Sequence, residues 1–568
     1  MENYTIGKVI AVSGDSILIS LSEYYDNEEN IYGVPENMSI SITTENGPQP
    51  LLVGQPGSFV SIAIPTGQLL AMIIDISMKE SFFNQSETKQ IAENDEVYLN
   101  ASKRTISVVP VGTINSSNQF EIGADVLPTV NNEVYAVLPE LIDKVYESFA
   151  EGKFSIGKLS LIPNQEAKIN LDAFLCRHSA ILGQTGGGKS WTVASLLQQI
   201  SLFPQSTLVL FDLHSEYKDA FGDYAEYIDI NDLEFPYWLM NSEELLGLMV
   251  DRTEFAAPNQ ISQFKKLLQA AKEAHTENQS LGIPKITIDT PVYFDFNSII
   301  DQFRVLDEQM VTSPSTGKPI KGPLHGDFTR LLMRIDSRLN DKRYDLIFHP
   351  QTYNTSASME NLFRKILGEE KPPKKIVIID LSPIPFDVRN SVISLILRCL
   401  FDFSYWYKKV NKLSYPIAVF CDEAHIYLND RDPSCEASRL SAERIAKEGR
   451  KYGISINIIS QRPREVSATI LSQCNTFLCL RISNPEDQSY VKALLPDSIR
   501  GIVSMFASLR RGECILLGDS VIMPTRIRIR IPDPKPKSDD TSFYSEWHKA
   551  YKEINVTNVL SAWRKQEV

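Results

Sequence analysis

The first 150 residues alternate between short apolar runs and turn signals. Runs rich in Ile, Val and Leu are separated by turns such as Ser13–Asp15, Pro56-Gly57 and Pro65–Gly67, a pattern typical of strands joined by tight turns. The predicted strands are Thr5–Val12, Ser16–Leu21, Ser39–Thr43, Ser58–Ile64, Leu69–Ile76, Val97–Leu99, Thr105–Val111 and Glu133–Val137. We therefore predict a small closed β-barrel over residues 1–150, with a structural or docking role.

Beyond residue 150, apolar runs alternate with helical stretches. Four consecutive apolar residues stand in Lys375–Leu381, and such runs are typical of strands in a parallel sheet. The other predicted strands are Phe154–Leu161, Leu175–Leu182, Ser206–Leu213, Ile417–Cys421, Ile454–Ser460, Thr476–Ile482 and Glu513–Leu517, with helices at Trp191–Ile200, Asn390–Tyr405 and Ala437–Tyr452. This order predicts an α/β fold with a parallel, doubly wound sheet.

Helical periodicity dominates residues 241–370, between the two groups of strands. The predicted helices are Ser242–Val250, Asn259–Ala274 and Phe328–Leu339, with Ser242 and Asp327 as capping residues. The loop Ser313–Gly326 carries Lys318 and Lys321, which either touch phosphates or lie on a surface loop. The predicted domains are a barrel (1–150), a core in two parts (151–240 and 371–535), a helical insertion (241–370) and a terminal helical arm (536–568).

A glycine-rich turn stands between the first core strand and the first core helix. Residues Gly183–Ser190 read GQTGGGKS and match G-x-x-x-x-G-K-[ST] in full. Glycines let several backbone N–H groups face one concavity, and the helix N-terminus adds positive charge. Lys189 is expected to reach the β- and γ-phosphates of ATP, and the Ser190 hydroxyl to bind Mg²⁺. The core is therefore predicted to be a RecA-like P-loop NTPase domain.

A second acidic motif follows the apolar run Ile417–Cys421. Asp422 is expected beside Mg²⁺, where it accepts hydrogen bonds from the water shell of the ion, and Glu423 is expected to orient the attacking water. Gln461, at the end of Ile454–Ser460, either hydrogen-bonds the γ-phosphate or the water, or caps its strand. Together with the phosphate loop, these residues predict ATP hydrolysis.

Polar residues also stand at the end of the run Ser206–Leu213. Asp212, His214 and Glu216 are placed near the carboxyl end of this predicted strand, where catalytic groups of parallel sheets lie. Either they contact Mg²⁺, water or a neighbouring subunit, or they cap the strand end and its loop. The sequence leaves both alternatives open.

Two arginines are candidates for acting on the nucleotide of a neighbouring subunit. Arg450 stands in EGRKYG near the end of the helix Ala437–Tyr452, and Arg177 stands just before the first core strand. An arginine supplied in this way stabilises charge in the transition state. The alternative for Arg450 is a residue that complements the C-terminal dipole of its helix, and the sequence does not choose between the two arginines.

The candidate site residues combine these motifs. Candidate catalytic residues are Glu423, Lys189, Gln461 and Arg450, and candidate Mg²⁺ ligands are Ser190 and Asp422. Candidate nucleotide-binding residues are Gly183, Gln184, Thr185, Gly186, Gly187, Gly188, Lys189, Ser190, Trp191, Asp212 and Arg177.

Composition excludes several other classes of protein. The net charge of −14 argues against a generally basic, histone-like DNA binder, although it permits a local basic channel. The seven cysteines are scattered without a C-x-x-C pair, which predicts reduced thiols rather than a zinc site or a disulfide framework. Because no apolar stretch is long enough to span a bilayer, we expect a cytoplasmic protein without a membrane anchor.

The end of the chain offers two further candidate surfaces. Arg526, Arg528 and Arg530 alternate with isoleucines and share one strand face, which meets either DNA phosphates or solvent. A short Pro-rich linker begins at Pro532, and the terminal arm that follows carries aromatic residues suited to packing on a neighbour.

The motifs resemble those of the bacterial and archaeal HerA ATPases, relatives of the FtsK DNA pumps. The resemblance lies in their order along the chain, which is a β-barrel, GQTGGGKS, FDLHSEY, a helical insertion, FCDEAH, EGRKYG and ISQRP. The barrel resembles the HAS-barrel of that family. The resemblance implies a ring, usually a homo-hexamer, that translocates double-stranded DNA using ATP and Mg²⁺. One departure is Leu213-His214-Ser215, where the family often has Pro-His-Gly after the strand.

The resemblance also implies an effector protein docked on the barrel face. This partner is a NurA-type nuclease in DNA end resection, or a sirtuin-type NAD-hydrolysing enzyme or nuclease in antiphage defence. Because the chain is not short of Asn, Gln or Cys, a mesophilic bacterial member in a defence system is favoured. The rival hypothesis is an ATP-regulated scaffold ring that activates an effector without processive translocation.

Overall fold

A β-barrel precedes a long mixed sheet in the computed structural model of the chain. The structure describes residues 4–565 apart from 15, 24, 28–29, 45–46, 81–101, 118, 148–153, 163–164, 230–233, 316, 539–541 and 550–553. The predicted strand Val97–Leu99 lies outside these described residues.

Six antiparallel strands close the barrel. Around its circumference they are Thr5–Val12, Ile17–Leu21, Ser102–Asn115, Gly67–Glu80, Phe59–Ile64 and Glu133–Ala136, which returns to the first. The strands Tyr25–Asn27, Asn30–Tyr32 and Phe120–Ile122 extend this sheet, and Ser39–Thr44 pairs with Gly47–Leu52 in a separate hairpin. Val9, Ile17 and Ile19 are fully buried and belong to a hydrophobic core of the barrel's own. The predicted closed barrel is therefore confirmed.

The second sheet has eleven strands, of which seven run parallel. The parallel strands lie in the order Thr476–Cys479, Ser179–Leu182, Ile454–Ser460, Ile417–Cys421, Leu208–Asp212, Ile376–Asp380 and Ala225–Ile228. An antiparallel extension continues from Thr476–Cys479 through Glu513–Gly518, Thr525–Ile529, Phe154–Leu159 and Glu166–Ile169. Three of the inner strands, Leu208–Asp212, Ile376–Asp380 and Ile417–Cys421, are buried at every residue, which explains their continuous apolar runs. The predicted parallel α/β core is confirmed.

Helices connect the core strands. They are Leu171–Cys176, Lys189–Ile200, Phe386–Asn411, Glu436–Glu448, Ala468–Gln473 and Pro485–Leu494, and Pro139–Glu147 lies between barrel and core in the chain. The helix Phe386–Asn411 extends beyond the predicted Asn390–Tyr405 at both ends, and Lys408 and Lys409 complement the dipole of its last turn. The helix Glu436–Glu448 ends before Tyr452, and a 3₁₀ turn, Gly449–Lys451, follows it.

The insertion is helical, as its periodicity predicts, but its caps differ from the predicted ones. Its helices are Ser242–Met249, Ala257–Ala274, Thr276–Ser280, Phe296–Asp307, Thr329–Leu339, Asp345–Phe348 and Met359–Ile366, and it also carries a hairpin of Met310–Thr312 and Pro319–Lys321. Asn241, not Ser242, caps the first helix in a capping box with Glu244. Asp327 does not cap the helix Thr329–Leu339, whose N-cap residue is Phe328. Asp307 accepts hydrogen bonds from Phe328 N and Thr329 Oγ1 at 2.7 Å each.

Arg526 connects the barrel to the core. Its guanidinium donates to the Pro56 carbonyl at 3.1 Å and to Glu513 Oε2 at 2.8 Å. The strand Thr525–Ile529 alternates as predicted, with its isoleucines buried and its arginines on the other face. Arg528 and Arg530 are exposed, and contact of this face with DNA stays a prediction. Among the described residues, no helix is both long and apolar enough to cross a membrane.

Candidate nucleotide-binding site

The phosphate loop is shaped by glycines in conformations that other residues avoid. Gly186 and Gly188 have φ of 73° and 102°, and Gly188 begins the helix Lys189–Ile200 without a side-chain cap. A side chain on Gly188 would also approach the Gly512 backbone to 3.2 Å. The backbone N–H groups at this helix start are therefore available to an anion, as phosphate binding requires.

The two predicted motifs meet in one buried site. Lys189 Nζ lies 3.8 Å from Glu423 Oε1, and only 8% and 12% of these side chains are exposed. The strands that deliver them, Ser179–Leu182 and Ile417–Cys421, are separated only by Ile454–Ser460. A cation and a carboxylate that are distant in the chain thus share one low-dielectric site.

Glu423 combines backbone strain with an unpaired oxygen. Its φ is 45°, a left-handed conformation that costs a non-glycine residue about 1 kcal/mol or more and is frequent at functional sites. Oε2 lies 3.3 Å from His425 Nδ1 but accepts no hydrogen bond within the described part of the chain. Burial raises the pKa of Glu423, while the charge of Lys189 opposes that shift. This carboxylate is therefore free to accept a proton from water.

Asp422 lies among other acidic residues. It is buried, its Oδ1 accepts a hydrogen bond from Glu423 N at 3.0 Å, and burial together with Glu423, Asp212 and Glu216 raises its pKa. Glu216 Oε2 is buried without a hydrogen-bond partner among the described residues. This concentration of negative charge fits a divalent cation.

The metal site would be completed by the nucleotide. Ser190 is the other predicted Mg²⁺ ligand. Near it lies the buried Tyr217, whose hydroxyl has no hydrogen-bond partner among the described residues; burial and the charges of Asp422 and Asp212 raise the pKa of Tyr217. In the described ranges, no three His, Cys, Asp or Glu side chains converge into a ready metal cage. Mg²⁺ is commonly bound by one or two protein oxygens, waters and substrate phosphates, and Ser190 with Asp422 fits that pattern.

Asp212 caps its own loop. Its carboxylate accepts hydrogen bonds from the backbone N–H groups of His214 and Glu216, each at 3.2 Å, and of Tyr217 at 3.0 Å. These are the contacts of the capping alternative, and they order the loop that carries Glu216. Direct contact of Asp212 with the nucleotide stays a prediction.

Gln461 is attached to the phosphate loop. Its Oε1 accepts a hydrogen bond from the Thr185 hydroxyl, and the neighbouring Gln184 Oε1 accepts one from Ser483 N at 3.1 Å. The structure therefore brings Gln461 to the predicted edge of the sheet, within reach of the loop that would hold the phosphates.

Arg177 and Arg450 lie at the opposite edge of the same sheet. They precede the amino ends of Ser179–Leu182 and Ile454–Ser460, whereas the phosphate loop and Gln461 follow the carboxyl ends. Both line a cavity of about 1010 Å³ between core and barrel. Arg177 pairs with Asp519, whereas among the described residues no group accepts a hydrogen bond or ion pair from the exposed Arg450 guanidinium.

His178 fixes the backbone beside Arg177. It has φ of 56°, and its Nδ1 accepts a hydrogen bond from Ile456 N at 3.1 Å. Burial lowers its pKa to about 4, so the ring is neutral near pH 7.

Sequence reasoning missed several residues around the site. His425 packs against Glu423, with a pKa that burial lowers to about 4. Arg511 and Lys535 lie over the Trp191 ring, at 5.4 and 5.2 Å from its centroid. His425 follows Asp422 and Glu423 directly in FCDEAH, which offered a signal, but no local pattern connects Lys535 with a helix that begins at residue 189.

Comparisons with known proteins agree with this geometry. The family model "Helicase HerA, central domain" matches residues 154–400. A DNA double-strand break repair helicase HerA from Saccharolobus solfataricus is 26% identical over 507 residues, covering 87% of this chain and 91% of the relative. Its counterpart from Sulfolobus acidocaldarius is 29% identical, over 73% of this chain and 77% of the relative. Among solved structures, VirB4 of Thermoanaerobacter pseudethanolicus has a TM-score of 0.44 at 15% identity, covering 70% of this chain and 99% of that one.

These matches extend well beyond the phosphate loop. The family model spans strands, loop and insertion, and the two curated relatives align over most of their own length. The protein is an ATPase, as its buried Lys189–Glu423 pair suggests, and the predicted resemblance is confirmed. This chain is similar to the HerA helicases over most of its length.

Proposed function

We propose that the protein is an ATP-driven translocase or helicase for double-stranded DNA that works as a homo-hexameric ring with ATP and Mg²⁺. The observation that carries the proposal is the Lys189–Glu423 pair, which joins the phosphate loop to the second acidic motif in one buried site. The names of the curated relatives, DNA double-strand break repair helicases, support DNA as the substrate.

The residues of the site have separate tasks in this proposal. When ATP binds, the Lys189 ammonium leaves its ion pair with Glu423 and contacts the β- and γ-phosphates. The Glu423 carboxylate is then free. Ser190 and Asp422 hold Mg²⁺, which neutralises charge on the phosphates. Glu423 then orients the attacking water and accepts its proton, while Gln461 contacts the γ-phosphate or that water.

Arg450 acts on the nucleotide of the next subunit. It lies at the sheet edge away from its own phosphate loop and is free of protein partners among the described residues. An unpaired guanidinium can stabilise transition-state charge without first breaking an ion pair. Arg177 contributes at the same junction, although its pairing with Asp519 makes it the weaker candidate.

The terminal arm supports assembly into a ring. Its helices Phe543–Trp547 and Val556–Lys565 contain no buried residue, and Trp547 and Trp563 are 79% and 75% exposed. Large aromatic side chains of this kind are enriched in the cores of protein interfaces. A neighbouring copy of the chain would cover them.

The finer part of the proposal concerns the effector. We place a sirtuin-type NAD-hydrolysing enzyme or a nuclease on the barrel face, in antiphage defence. Ile10, Leu18 and Ile122 are exposed apolar residues of the barrel and would contribute to such a contact. The second candidate is DNA end resection with a NurA-type nuclease, which the double-strand break repair names of the relatives favour.

Purified protein tests the proposal directly. Light scattering gives the size of the assembly, and ATP hydrolysis is measured with and without linear duplex DNA over a range of salt concentrations. We expect a hexamer whose hydrolysis is stimulated by duplex and loses that stimulation at high salt, because phosphate contacts are salt-sensitive. Two results together would establish the scaffold alternative instead: an ATP hydrolysis rate that duplex DNA does not change, and an effector that stays active with the Lys189→Ala variant.

A further inference from the structure

A segment after the last core strand lies along the helix of the phosphate loop. We name residues 530–537 the C-terminal strap. Arg530 contacts Gln199 Oε1 at 3.1 Å, Asp533 N donates to Gln198 Oε1 at 3.0 Å, and Gln198 Nε2 donates to the Pro534 carbonyl at 2.9 Å. The sequence predicted only a linker here, so this docking is a finding of the structure.

The strap runs toward the phosphate-binding end of that helix. Its first contacts are at Gln199 and Gln198, near the C-terminus of the helix, and Lys535 then reaches Trp191, seven residues or about 10 Å back along the helix axis. Beyond it, Lys537 N donates to the Glu216 carbonyl at 2.8 Å. The strap therefore ends between the phosphate loop and the loop that carries Glu216.

Trp191 carries an unsatisfied group at this place. It comes directly after Ser190, in the first turn of the helix. Its indole Nε1 is buried and has no hydrogen-bond partner among the described residues. Arg511 lies over the same ring as Lys535. The next residue, Gly512, donates its N–H to the Gly187 carbonyl at 3.2 Å and so links this turn to the phosphate loop.

Lys535 is poised to move while its neighbours hold the strap. Pro532 and Pro536 are buried on either side, whereas Lys535 is exposed, and in the described part of the chain no carboxylate pairs with it. A cation–π contact at an exposed site is weak, so a better partner can replace it on the indole face. A nucleobase is such a partner, because bases stack on aromatic side chains whatever their sequence.

We propose that Trp191, Arg511 and Lys535 form the subsite for the base and ribose of the nucleotide, with the C-terminal strap as its outer wall. The inference rests on the proposed ATPase function and specifies which groups hold the part of ATP that the phosphate loop does not contact. The base stacks on the Trp191 indole, and the orphan Nε1–H gains an acceptor from the ligand. Lys535 leaves the ring and neutralises phosphate charge.

The test separates the base from the phosphates. Binding of ADP and of inorganic tripolyphosphate is measured by calorimetry on the full-length protein, for the wild type, Trp191→Ala and Trp191→Phe. We expect Trp191→Ala to weaken ADP binding about tenfold or more and to leave tripolyphosphate binding unchanged, whereas Trp191→Phe retains most of the ADP affinity. Lys535→Ala should weaken ADP binding a few-fold, and Lys549→Ala, which alters an exposed lysine of the terminal arm, should have no effect.

Hydrogen exchange of the wild-type strap provides a second readout that needs no variant. ADP is expected to slow exchange over residues 530–537, and tripolyphosphate is not. Equal losses of ADP and tripolyphosphate affinity in Trp191→Ala, or a strap that both ligands protect equally, would overturn the subsite. A wild-type protein that binds neither ligand would refute the proposed function itself, so the two failures are distinguishable.

Discussion

The two edges of the core sheet carry different kinds of charge. At the carboxyl edge, Lys189, Asp422 and Glu423 are buried, and Glu423 contacts both of the others. At the amino edge, Arg450 is exposed without a partner among the described residues, and Arg177 shares an ion pair with Asp519 that is about half exposed. One edge thus holds buried, interacting charges, as the proposed catalytic site requires, while the other carries arginines that face a cavity.

This difference suggests how the enzyme is divided. Buried charges are tolerated only when they are paired or await a ligand. The carboxyl edge meets this requirement with residues of a single chain. An exposed arginine beside a cavity of about 1010 Å³ gains a task only when another molecule fills the space. A second copy of the chain, contributing its carboxyl edge, would satisfy both.

Loss of Glu423 is expected to have the largest effect. Glu423→Gln removes the proton acceptor but keeps the shape of the side chain, so kcat for ATP should fall by about a hundredfold or more while ATP still binds. Glu360→Gln, which alters an exposed helix ion pair, is the matched control and should leave kcat unchanged. A Glu423→Gln protein that hydrolyses ATP at the wild-type rate would remove the catalytic assignment of the carboxyl edge.

Loss of Arg450 should have nearly as large an effect, although this residue lies at the other edge. Arg450→Ala is expected to reduce kcat about a hundredfold, with little change in ADP affinity measured by calorimetry, because the arginine contacts charge that develops only in the transition state. The control variant Lys451→Ala removes the adjacent exposed cation and should leave kcat unchanged. An unchanged hydrolysis rate in Arg450→Ala would mean that the residue only complements the C-terminal dipole of its helix.

Arg177 sharpens the comparison within the amino edge. Because Asp519 already neutralises part of its charge, Arg177→Ala should lower kcat by only about tenfold. Arg528→Ala, an exposed arginine on another strand, should not alter hydrolysis measured without DNA. If Arg177→Ala proves more damaging than Arg450→Ala, the roles of the two arginines are reversed.

The smallest expected effect concerns pH. The pKa of His178 is lowered from 6.5 to about 4 in the folded protein, so between these values the unfolded chain binds more protons, and stability falls as the pH falls. His178→Gln keeps a neutral side chain and should reduce this loss. The unfolding midpoint falls between pH 7 and pH 5, and we expect this fall to be about 2 °C smaller in the variant than in the wild type. A fall of equal size in both proteins would mean that His178 is charged at pH 5 in the folded state.

Much of the fold follows from the sequence because local and tertiary preferences agree. The run Lys375–Leu381 is apolar because its strand is buried on both faces, and Gly183–Ser190 must bend because anion binding needs converging N–H groups. Cap positions were less predictable. Asp307 accepts a hydrogen bond from Phe328 N, just before the helix Thr329–Leu339, although a hairpin separates the two residues in the chain. The partner of Asp307 is therefore set by packing and not by spacing along the chain.

The site was predicted in its motifs but not in its surroundings. Asp422 and Glu423 follow a recognisable strand, whereas the antiparallel extension of the sheet and the C-terminal strap depend on contacts between residues far apart in the chain. The pairing that distinguishes Arg177 from Arg450 is likewise tertiary, because Asp519 lies in a distant turn. A single sequence contains no local signal for such contacts.

The division of the active site between copies is tested most directly by mixing two inactive variants. Glu423→Gln keeps Arg450, and Arg450→Ala keeps Glu423, so a ring assembled from both contains junctions with every catalytic residue. Co-expressed at equal amounts, they should recover up to about one quarter of the wild-type ATPase rate, the share of complete junctions in a randomly assembled ring. A mixture no more active than the average of the two separate variants would contradict the account.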